Sequence, residues 1–350
     1  MQFWESFSGV DGHRTRGHLR PSSDEIVREL LEIYEQLAEC SDLRPSAHVD
    51  TLFGRLVRIV VDTPGPRAAA IAVHPAVRAI EAPLRTLCGA AEYELELHWA
   101  DRIANSRSPH DELALFPCAA NYRQLHRMEI TAVAQVANDQ SHPIRRVALI
   151  GSGPLPLTSV LLATDPGVAV VNVDRDARAV AASKWMAAAL GIDGVSFDHE
   201  EVHSGTDLSG YDLVVLAALA GSTPREKQSL LSHLAAAMAP GALLLARSAR
   251  HLRTLLYSPI NLDALAGFDV LSVLHPVHPF HEVINSVILA RKPRHRLGRR
   301  RGTAGAPASA AARHGSSAPG RRRPAAPRTV GRSRPRGSHQ GPPPHRPRHH

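Results

Sequence analysis

A glycine-rich segment at 150–157 is the first feature of the chain that could do chemistry. It reads Ile-Gly-Ser-Gly-Pro-Leu-Pro-Leu and follows an apolar run typical of a buried strand. Gly151 and Gly153 let the backbone turn tightly and approach a bound ligand. Asp174 ends the next apolar run, 21 positions after Gly153, where a carboxylate can accept hydrogen bonds from both ribose hydroxyls. The spacing favours nucleoside binding, with a purely structural turn as the alternative.

The same segment departs from the loop that binds dinucleotides. Pro156 stands where the third glycine of that loop would be, and Pro154 stiffens the segment further. A proline can open the next helix, because no N–H is needed in its first turn. A ligand without phosphates does not need the full phosphate-binding loop. We therefore expect Gly151, Ser152, Gly153 and Pro154 to contact a nucleoside that carries no phosphate.

Three glutamates, Glu92, Glu94 and Glu96, lie in a stretch of helical periodicity. At a spacing of four, Glu92 and Glu96 share one face of the helix, whereas Glu94 points elsewhere. A carboxylate held in a cavity can act as a general base, although an isolated glutamate on a helix is more often a solvated charge. Acid–base chemistry and a solvated surface are the two alternatives for this face.

The elements that would position these residues fall into two regions. Apolar residues recur at helical spacing through the first part of the chain, so we predict an all-helical domain at 21–142 after a disordered leader at 1–20. The helices are expected after the capping signal at Ser22–Glu25, from His48 to Val61, from near Pro83 to Ile103, and from about Asn121 to Asn138.

Residues 143–293 read differently, as strands that alternate with helices. Strands are predicted at Arg145–Ile150, Val168–Val173, Tyr211–Leu216, Ala242–Ala246, Phe268–Leu274 and Asn285–Ala290, with helices ending at Ala163 and spanning Ala177–Leu190 and Pro224–Met238. The alternation indicates a parallel, doubly wound sheet, and the last two strands have no helix between them. An antiparallel pair that ends a parallel sheet is typical of S-adenosylmethionine-dependent methyltransferase-like domains, so the predicted fold class is α/β, a Rossmann-like sheet of that type after a helical domain.

The net charge of +8 comes from the end of the chain. Residues 294–350 hold 15 arginines and no Lys, Asp or Glu; removing them from the 41 Lys and Arg leaves 26 basic against 33 acidic residues, about −7. This Arg-, Pro- and Ala-rich tail has too few apolar residues to bury and is expected to be disordered. A nucleic-acid role for the tail is conceivable, but a solvated extension is favoured.

Composition also limits the compartment. No apolar run reaches the ~20 residues that span a bilayer, and the first residues show no secretory signal. The cysteines at 40, 88 and 118 are far apart and odd in number, which argues against a disulfide framework. We expect a cytoplasmic protein with no membrane partner.

Five blocks of sequence carry a family resemblance. The most specific is IGSGPLPLTSVLL at 150–162, because methyltransferases seldom carry Pro-Leu-Pro-Leu-Thr-Ser after the glycines. The others are LFPCAANYRQLHRMEI at 115–130, LVVLAALAG at 213–221, MAPGALLLARSA at 238–249 and HEVINSVILARKP at 281–293. In this order and with these gaps, over about residues 22–293, they resemble the nicotianamine synthases.

The resemblance implies the reaction. These enzymes use S-adenosylmethionine as a co-substrate, transfer its 3-amino-3-carboxypropyl group to an amine and release 5′-methylthioadenosine, and no metal is required. Plant-type members condense three donor molecules and close an azetidine ring, whereas bacterial relatives add one group to an amino acid such as histidine on the way to an opine metallophore. The partner is thus a small-molecule amine acceptor.

The resemblance also implies roles for individual residues. Glu96 matches the glutamate that faces the reacting amine, and Tyr122 matches the tyrosine that holds the substrate. Arg247, at the end of a predicted strand, is the candidate for the donor carboxylate. The further expected donor contact is Ala217, and the expected acceptor contacts are Asn121, Glu129, His251 and Tyr257. For Glu129, an ion pair on the helix surface is an alternative to the acceptor contact, and the two are equally favoured.

Two departures leave the acceptor open. Plant-type members have two tyrosines after Phe-Pro, where this chain has Cys118 and Ala119. Histidines at 275, 278 and 281 repeat every third residue with prolines between them, which makes a zinc cage implausible, so no metal site is expected. A methyltransferase of a small molecule remains the alternative enzyme, and a nucleoside-sensing module the alternative without catalysis.

Overall fold

The helical region begins at the predicted capping signal. A computed structural model of the protein describes residues 21–137, 143–164, 167–263, 271–279 and 283–294. The Ser22 hydroxyl accepts the Glu25 N–H, and the Glu25 carboxylate accepts the Ser22 N–H in return. Helices follow at Ser23–Glu39 (α1), Ala47–Asp62 (α2), Gly65–Ala72 (α3), Pro75–Asn105 (α4), Pro109–Ala114 (α5) and Ala119–Ala137 (α6). The predicted leader and the tail from residue 295 lie outside the described residues.

The prediction that the third helix begins near Pro83 is wrong. Helix α4 begins at Pro75 and runs through Pro83. A proline inside a helix removes one backbone hydrogen bond and crowds the carbonyl four residues earlier, which is why it predicts a helix start. Buried Val77, Ile80 and Leu84 lie on both sides of it and keep the helix continuous through their packing. The sequence pattern does not predict the short helices α3 and α5.

One apolar core joins the helices to the segment that follows the sheet. Leu30, Ile33 and Leu37 on α1 are fully buried. They share an apolar cluster with Leu252 and Leu255, which lie about 200 positions later in the sequence. Burying each such side chain stabilises the fold by roughly 1.5–3 kcal/mol. The helical region therefore packs on the second half of the chain through a continuous apolar contact.

Seven strands among the described residues form one sheet. They span Arg146–Ile150 (β1), Ala169–Asp174 (β2), Val195–His199 (β3), Leu213–Leu216 (β4), Leu243–Ser248 (β5), Ser272–Val277 (β6) and Ser286–Arg291 (β7). The spatial order is β3-β2-β1-β4-β5-β7-β6. The first five strands are parallel, and β7 runs antiparallel to both β5 and β6. This confirms the predicted α/β fold class with its antiparallel ending.

The crossover helices lie between the strands as expected. They are Leu157–Thr164 (α7), Ala177–Ala189 (α8) and Pro224–Ala237 (α9), and a 3-10 helix at His251–Leu255 follows β5. Strand β3, which the sequence pattern does not predict, is the edge of the sheet and is mostly exposed. An exposed edge strand lacks the continuous apolar run that marks a buried one. The polar residues of β3 therefore give no strand pattern that could be recognised in the sequence.

A specific contact attaches α4 to the sheet region. The Tyr93 hydroxyl donates a hydrogen bond of 2.6 Å to Oδ2 of Asp176, which also caps α8. This bond fixes the face of α4 that follows Tyr93 over the carboxyl ends of the strands. None of the helices in the described chain is long and apolar enough to cross a bilayer.

Candidate active site

A cavity of about 560 Å³ lies where the carboxyl ends of the parallel strands meet α4 and the start of α6. It spans the gap between β1 and β4, where the strand order reverses and where open parallel sheets bind ligands. Pockets for small organic ligands have volumes of roughly 300–1,000 Å³. The site and its size therefore suit a small molecule rather than a macromolecule.

The two glycines after β1 are required by local geometry. Gly151 and Gly153 have φ angles of 75° and 69°, in the left-handed region that favours glycine. A Cβ at Gly151 would lie 2.8 Å from Cβ of Ala220, and one at Gly153 would lie 2.5 Å from Oε2 of Glu96. The loop therefore allows α4 to approach its backbone directly, and the carboxylate of Glu96 occupies that space.

Asp174 is held rigidly at the end of β2. Its Oδ2 accepts the Gly153 N–H at 2.9 Å, and its Oδ1 accepts the Asp176 N–H at 2.9 Å. A carboxylate oxygen has capacity for a second hydrogen bond, so a ligand hydroxyl can still be accepted. Ser152 also lines the cavity, and its buried hydroxyl has no hydrogen-bond partner among the described residues. Pro154 and Ala217 line the same wall.

Glu96 and Tyr122 meet inside the cavity, as their predicted roles require. Glu96 is 8% exposed, and its Oε1 accepts the Tyr122 hydroxyl at 2.9 Å. The pKa of Glu96 is raised to about 8, chiefly by burial and then by the negative charge of Glu92, while the Tyr122 hydrogen bond acts in the opposite direction. Burial also raises the pKa of Tyr122, which therefore stays a neutral donor. The pair is a base of unusual strength for a carboxylate.

Glu92 forms a second pair of the same kind. It lies one turn before Glu96 on α4, lines the same cavity, and its Oε2 accepts the Tyr257 hydroxyl at 2.8 Å. Burial raises the pKa of Glu92 to about 7, against the opposing effects of the Tyr257 hydrogen bond and the Arg247 charge. The sequence places Glu92 on this face, but it gives no sign of the partner, which lies 165 positions away.

Arg247 lies on β5 with its guanidinium in a buried network. Its Nε donates to Glu129 Oε1 at 2.7 Å, and its Nη2 donates to Glu129 Oε2 at 3.0 Å and to the Thr158 hydroxyl at 2.7 Å. Arg247 and Glu129 are 6% and 4% exposed, so the ion pair is internal. Arg247 and Thr158 line the cavity, and Thr158 is a residue that the sequence analysis missed.

Two expected acceptor contacts are not supported by their positions. Both oxygens of Glu129 face Arg247, and Glu129 does not line the cavity, so neither the expected acceptor contact nor the surface ion pair describes it. His251 begins the 3-10 helix with a φ of 56° and also lies outside the cavity wall. Asn121 and Tyr257 do line the cavity as expected.

Metal ligation has no visible basis in the described residues. Among them no cluster of three or more His, Cys, Asp or Glu side chains could hold an ion. His278 contacts the Ser286 hydroxyl at 2.9 Å, whereas His281 and Glu282 lie outside the described part of the chain.

Comparison with known proteins finds relatives for most of the chain. The family profile described as "Nicotianamine synthase protein" matches residues 20–296. Nicotianamine synthase 1 of Arabidopsis thaliana is 35% identical over 275 residues, which cover 76% of this chain and 84% of the relative. Nicotianamine synthase 2 of Oryza sativa subsp. japonica is 38% identical over 281 residues, which cover 78% and 84%.

Solved structures of MtNAS share the architecture. The structure of MtNAS in complex with MTA and tNA matches with a TM-score of 0.66 at 22% identity, covering 79% of this chain and 99% of that chain. A glutamate-to-glutamine mutant of MtNAS in complex with S-adenosylmethionine matches with a TM-score of 0.64 at 23% identity, covering 76% and 98%. At these identities the likeness concerns the fold.

Proposed function

We propose a specific reaction for this chain, which belongs to the nicotianamine synthase family and is an S-adenosylmethionine-dependent transferase. The chain moves the 3-amino-3-carboxypropyl group of S-adenosylmethionine to the nitrogen of an amine and releases 5′-methylthioadenosine. One observation carries the proposal: the Glu96 carboxylate, hydrogen bonded by Tyr122, lies against Gly153 in the loop that follows β1. A base and a nucleoside-binding loop thus face the same space.

The proposed transfer is a nucleophilic substitution at a carbon of the sulfonium. The acceptor enters as an ammonium, which has no lone pair, and loses one proton to Glu96. The free nitrogen attacks the carbon of the aminocarboxypropyl arm that is bonded to sulfur. The new C–N bond forms as the C–S bond breaks. The electron pair of the C–S bond goes to sulfur, so the sulfonium becomes a neutral thioether. A carboxylate with a pKa of about 8 suits this proton transfer near neutral pH.

The hydrogen-bonding capacity around the loop that follows β1 supports its proposed role in binding the donor. Gly151 to Pro154 line the cavity, and Asp174 offers accepting lone pairs for two ribose hydroxyls. Arg247 donates hydrogen bonds from Nε and Nη2 to Glu129 and Thr158, and no hydrogen bond among the described residues uses its Nη1. That nitrogen is available for the donor carboxylate, with Glu129 as the residue that positions it.

The site must also choose one of three carbons on the sulfonium. The methyl carbon is the least hindered, so the amine has to be aligned with the longer arm and kept away from the methyl. We propose that the helical region at 21–142 covers the sheet region at 143–293 and excludes water from the sulfonium. Tyr93 and Asp176 hold α4 in the position that this requires.

The acceptor end of the cavity is proposed to include Asn121 and Tyr122. Cys118 lines the same region where plant-type relatives carry a tyrosine, so there is more room for an acceptor side chain. We propose an acceptor derived from S-adenosylmethionine or a free amino acid such as histidine, and a metal-chelating metallophore as the final product. The cysteines at 40, 88 and 118 are all free, which suits the cytoplasmic setting that we propose.

The by-product tests the proposal. The purified protein is incubated with S-adenosylmethionine, with and without a panel of amino acids, and the products are identified by mass spectrometry. 5′-Methylthioadenosine and a nitrogen-linked aminocarboxypropyl product support the proposal. S-Adenosylhomocysteine with a methylated acceptor would instead identify a methyltransferase. Deleting residues 294–350 is the control for the tail, since the enzyme should keep its turnover without it.

A further inference from the structure

We propose that Glu92 and Tyr257 form a second amine-binding position, which holds the α-ammonium of the aminocarboxypropyl arm while Glu96, hydrogen bonded by Tyr122, receives the proton of the attacking amine. The inference rests on the proposed function and adds a residue pair and a recognised chemical group to it. Glu92 acts as a positioning and specificity-determining residue that recognises an arm ending in an amino acid.

The two pairs are built alike but from different parts of the chain. Each is a glutamate of α4 that accepts a tyrosine hydroxyl, at 2.9 Å for Glu96 and 2.8 Å for Glu92. Tyr122 comes from the first turn of α6, and Tyr257 follows the 3-10 helix. Four side chains from three segments thus converge on one cavity wall. Each tyrosine donates to one carboxylate oxygen, and no side-chain hydrogen bond within the described residues uses the other oxygen of Glu92.

The spacing of the pairs matches the transferred group. Side chains at i and i+4 on a helix are about 5–6 Å apart at Cβ. In the product of the transfer, the new nitrogen and the α-nitrogen of the arm are separated by three carbons, and bonds of about 1.5 Å give an extended span of about 5 Å. A 1,3-diamine can therefore place one nitrogen at Glu96 and the other at Glu92 without bending.

The neighbours of each glutamate decide which nitrogen goes where. Glu96 touches the donor loop at Gly153, so it lies at the nucleoside end of the cavity. Glu92 feels the charge of Arg247, whose Nη1 is available for a carboxylate. An amino acid head carries both an ammonium and a carboxylate, and Glu92 with Arg247 offers one partner for each. The α-ammonium of the arm therefore belongs at Glu92, and the acceptor amine at Glu96.

The charges around Glu92 favour an ammonium there. The groups that interact electrostatically with Glu92 are Cys88 and Glu96 on α4, Cys118, Tyr122, Tyr257, and Arg247 from β5. Arg247 is already compensated by Glu129, so the buried carboxylate of Glu96 and the partly buried carboxylate of Glu92 share the cavity without a full countercharge. A bound ammonium supplies that charge and stays protonated. An ammonium has no lone pair, so the acceptor amine remains the nucleophile during the transfer.

A donor without its α-amino group tests the inference. Calorimetry measures the binding of S-adenosylmethionine and of its desamino analogue to the wild type, Glu92→Gln, Tyr257→Phe and Glu94→Gln. The wild type should prefer the natural donor by about 30-fold or more, the loss expected when a buried charge pair is broken. Glu92→Gln should reduce this preference to a few-fold, and Tyr257→Phe should reduce it partly. Glu94→Gln makes the same chemical change two positions away, outside the cavity, and should keep the full preference.

Each result decides the inference. Wild-type discrimination in Glu92→Gln would overturn it, as would a wild-type enzyme that binds both donors equally. If Glu92→Gln does not fold, unchanged discrimination in Tyr257→Phe overturns it instead. The proposed function fails separately: S-adenosylhomocysteine as the by-product, with a preference that still depends on Glu92, would remove the transfer reaction and leave the ammonium position intact.

Discussion

The two faces of α4 carry the same residue type in opposite surroundings. Glu92 and Glu96 face the cavity and each accept a tyrosine hydroxyl. Glu94, between them in sequence, lines an open groove on the other side of the helix with Asp101 and Arg178. The convergence of titratable side chains in the cavity therefore distinguishes it from the groove.

The difference teaches that burial, rather than residue type, makes these carboxylates reactive. A charge on the open face is solvated and screened, so replacing it changes little. A carboxylate in the cavity loses its water, which raises its pKa and its strength as a base. A substitution inside the cavity should therefore have a larger effect than the same substitution on the open face.

The largest effect is expected for Glu96→Gln. The variant loses the base but keeps the size of the side chain, so turnover should fall about 1,000-fold, within the range for loss of a general base. Donor binding should be retained. Formation of 5′-methylthioadenosine, followed by chromatography, measures the effect. Glu94→Gln serves as the matched variant and should stay within about two-fold of wild type; an equally active Glu96→Gln would remove Glu96 from the role.

Stability separates an inner from an outer ion pair. Glu129→Gln leaves the buried Arg247 without its countercharge and should lower the free energy of unfolding by about 3 kcal/mol. Glu32→Gln breaks a contact with Arg55 in which Glu32 is half exposed, and should change the free energy of unfolding by less than about 1 kcal/mol. Urea denaturation of both variants measures the difference. Equal losses would show that burial does not control the strength of these pairs.

Donor affinity compares two aspartates on neighbouring strands. Asp174→Ala removes the proposed ribose acceptor and the anchor of the Gly153 N–H, so donor affinity should fall about 10- to 100-fold, the range for losing hydrogen bonds to a charged group. Asp198 lies on β3 beside β2 but outside the cavity, and Asp198→Ala should bind the donor normally. Calorimetry with S-adenosylmethionine checks both; unchanged affinity in Asp174→Ala contradicts the ribose assignment.

The pH dependence of kcat/KM gives the smallest and most specific effect. Glu96 must be deprotonated to act, so kcat/KM should fall as the pH drops through the range of about 8 to 7, where the raised pKa values of Glu96 and Glu92 lie in the ligand-free protein. Glu92→Gln removes a like charge, which lowers the pKa of Glu96 and should move this acid limb to lower pH. Tyr122→Phe removes a hydrogen bond that stabilises the carboxylate and should move the limb to higher pH. Limbs that move in the same direction in both variants would refute the assignment.

Much of the fold follows from local pattern. The capping signal at Ser22 and the apolar runs at β1, β2, β4 and β5 are visible in the sequence, because a buried strand and an amphipathic helix each impose a period on the chain. The edge strand β3 is not predicted, because it is polar and exposed. The start of α4 is predicted too late, because packing keeps the helix continuous across Pro83. Both errors arise where tertiary contacts override local preference.

The sequence by itself determined the glycine loop, Asp174 and the shared face of Glu92 and Glu96, since these depend on backbone geometry and on the helical period. Only the tertiary structure decided that Tyr257 meets Glu92 and that Arg247 is paired with Glu129 instead of standing alone. Those contacts join residues more than 100 positions apart, and no local period encodes which distant side chains will face each other. Burial, which makes the carboxylates strong bases, exists only once the helices have packed over the sheet.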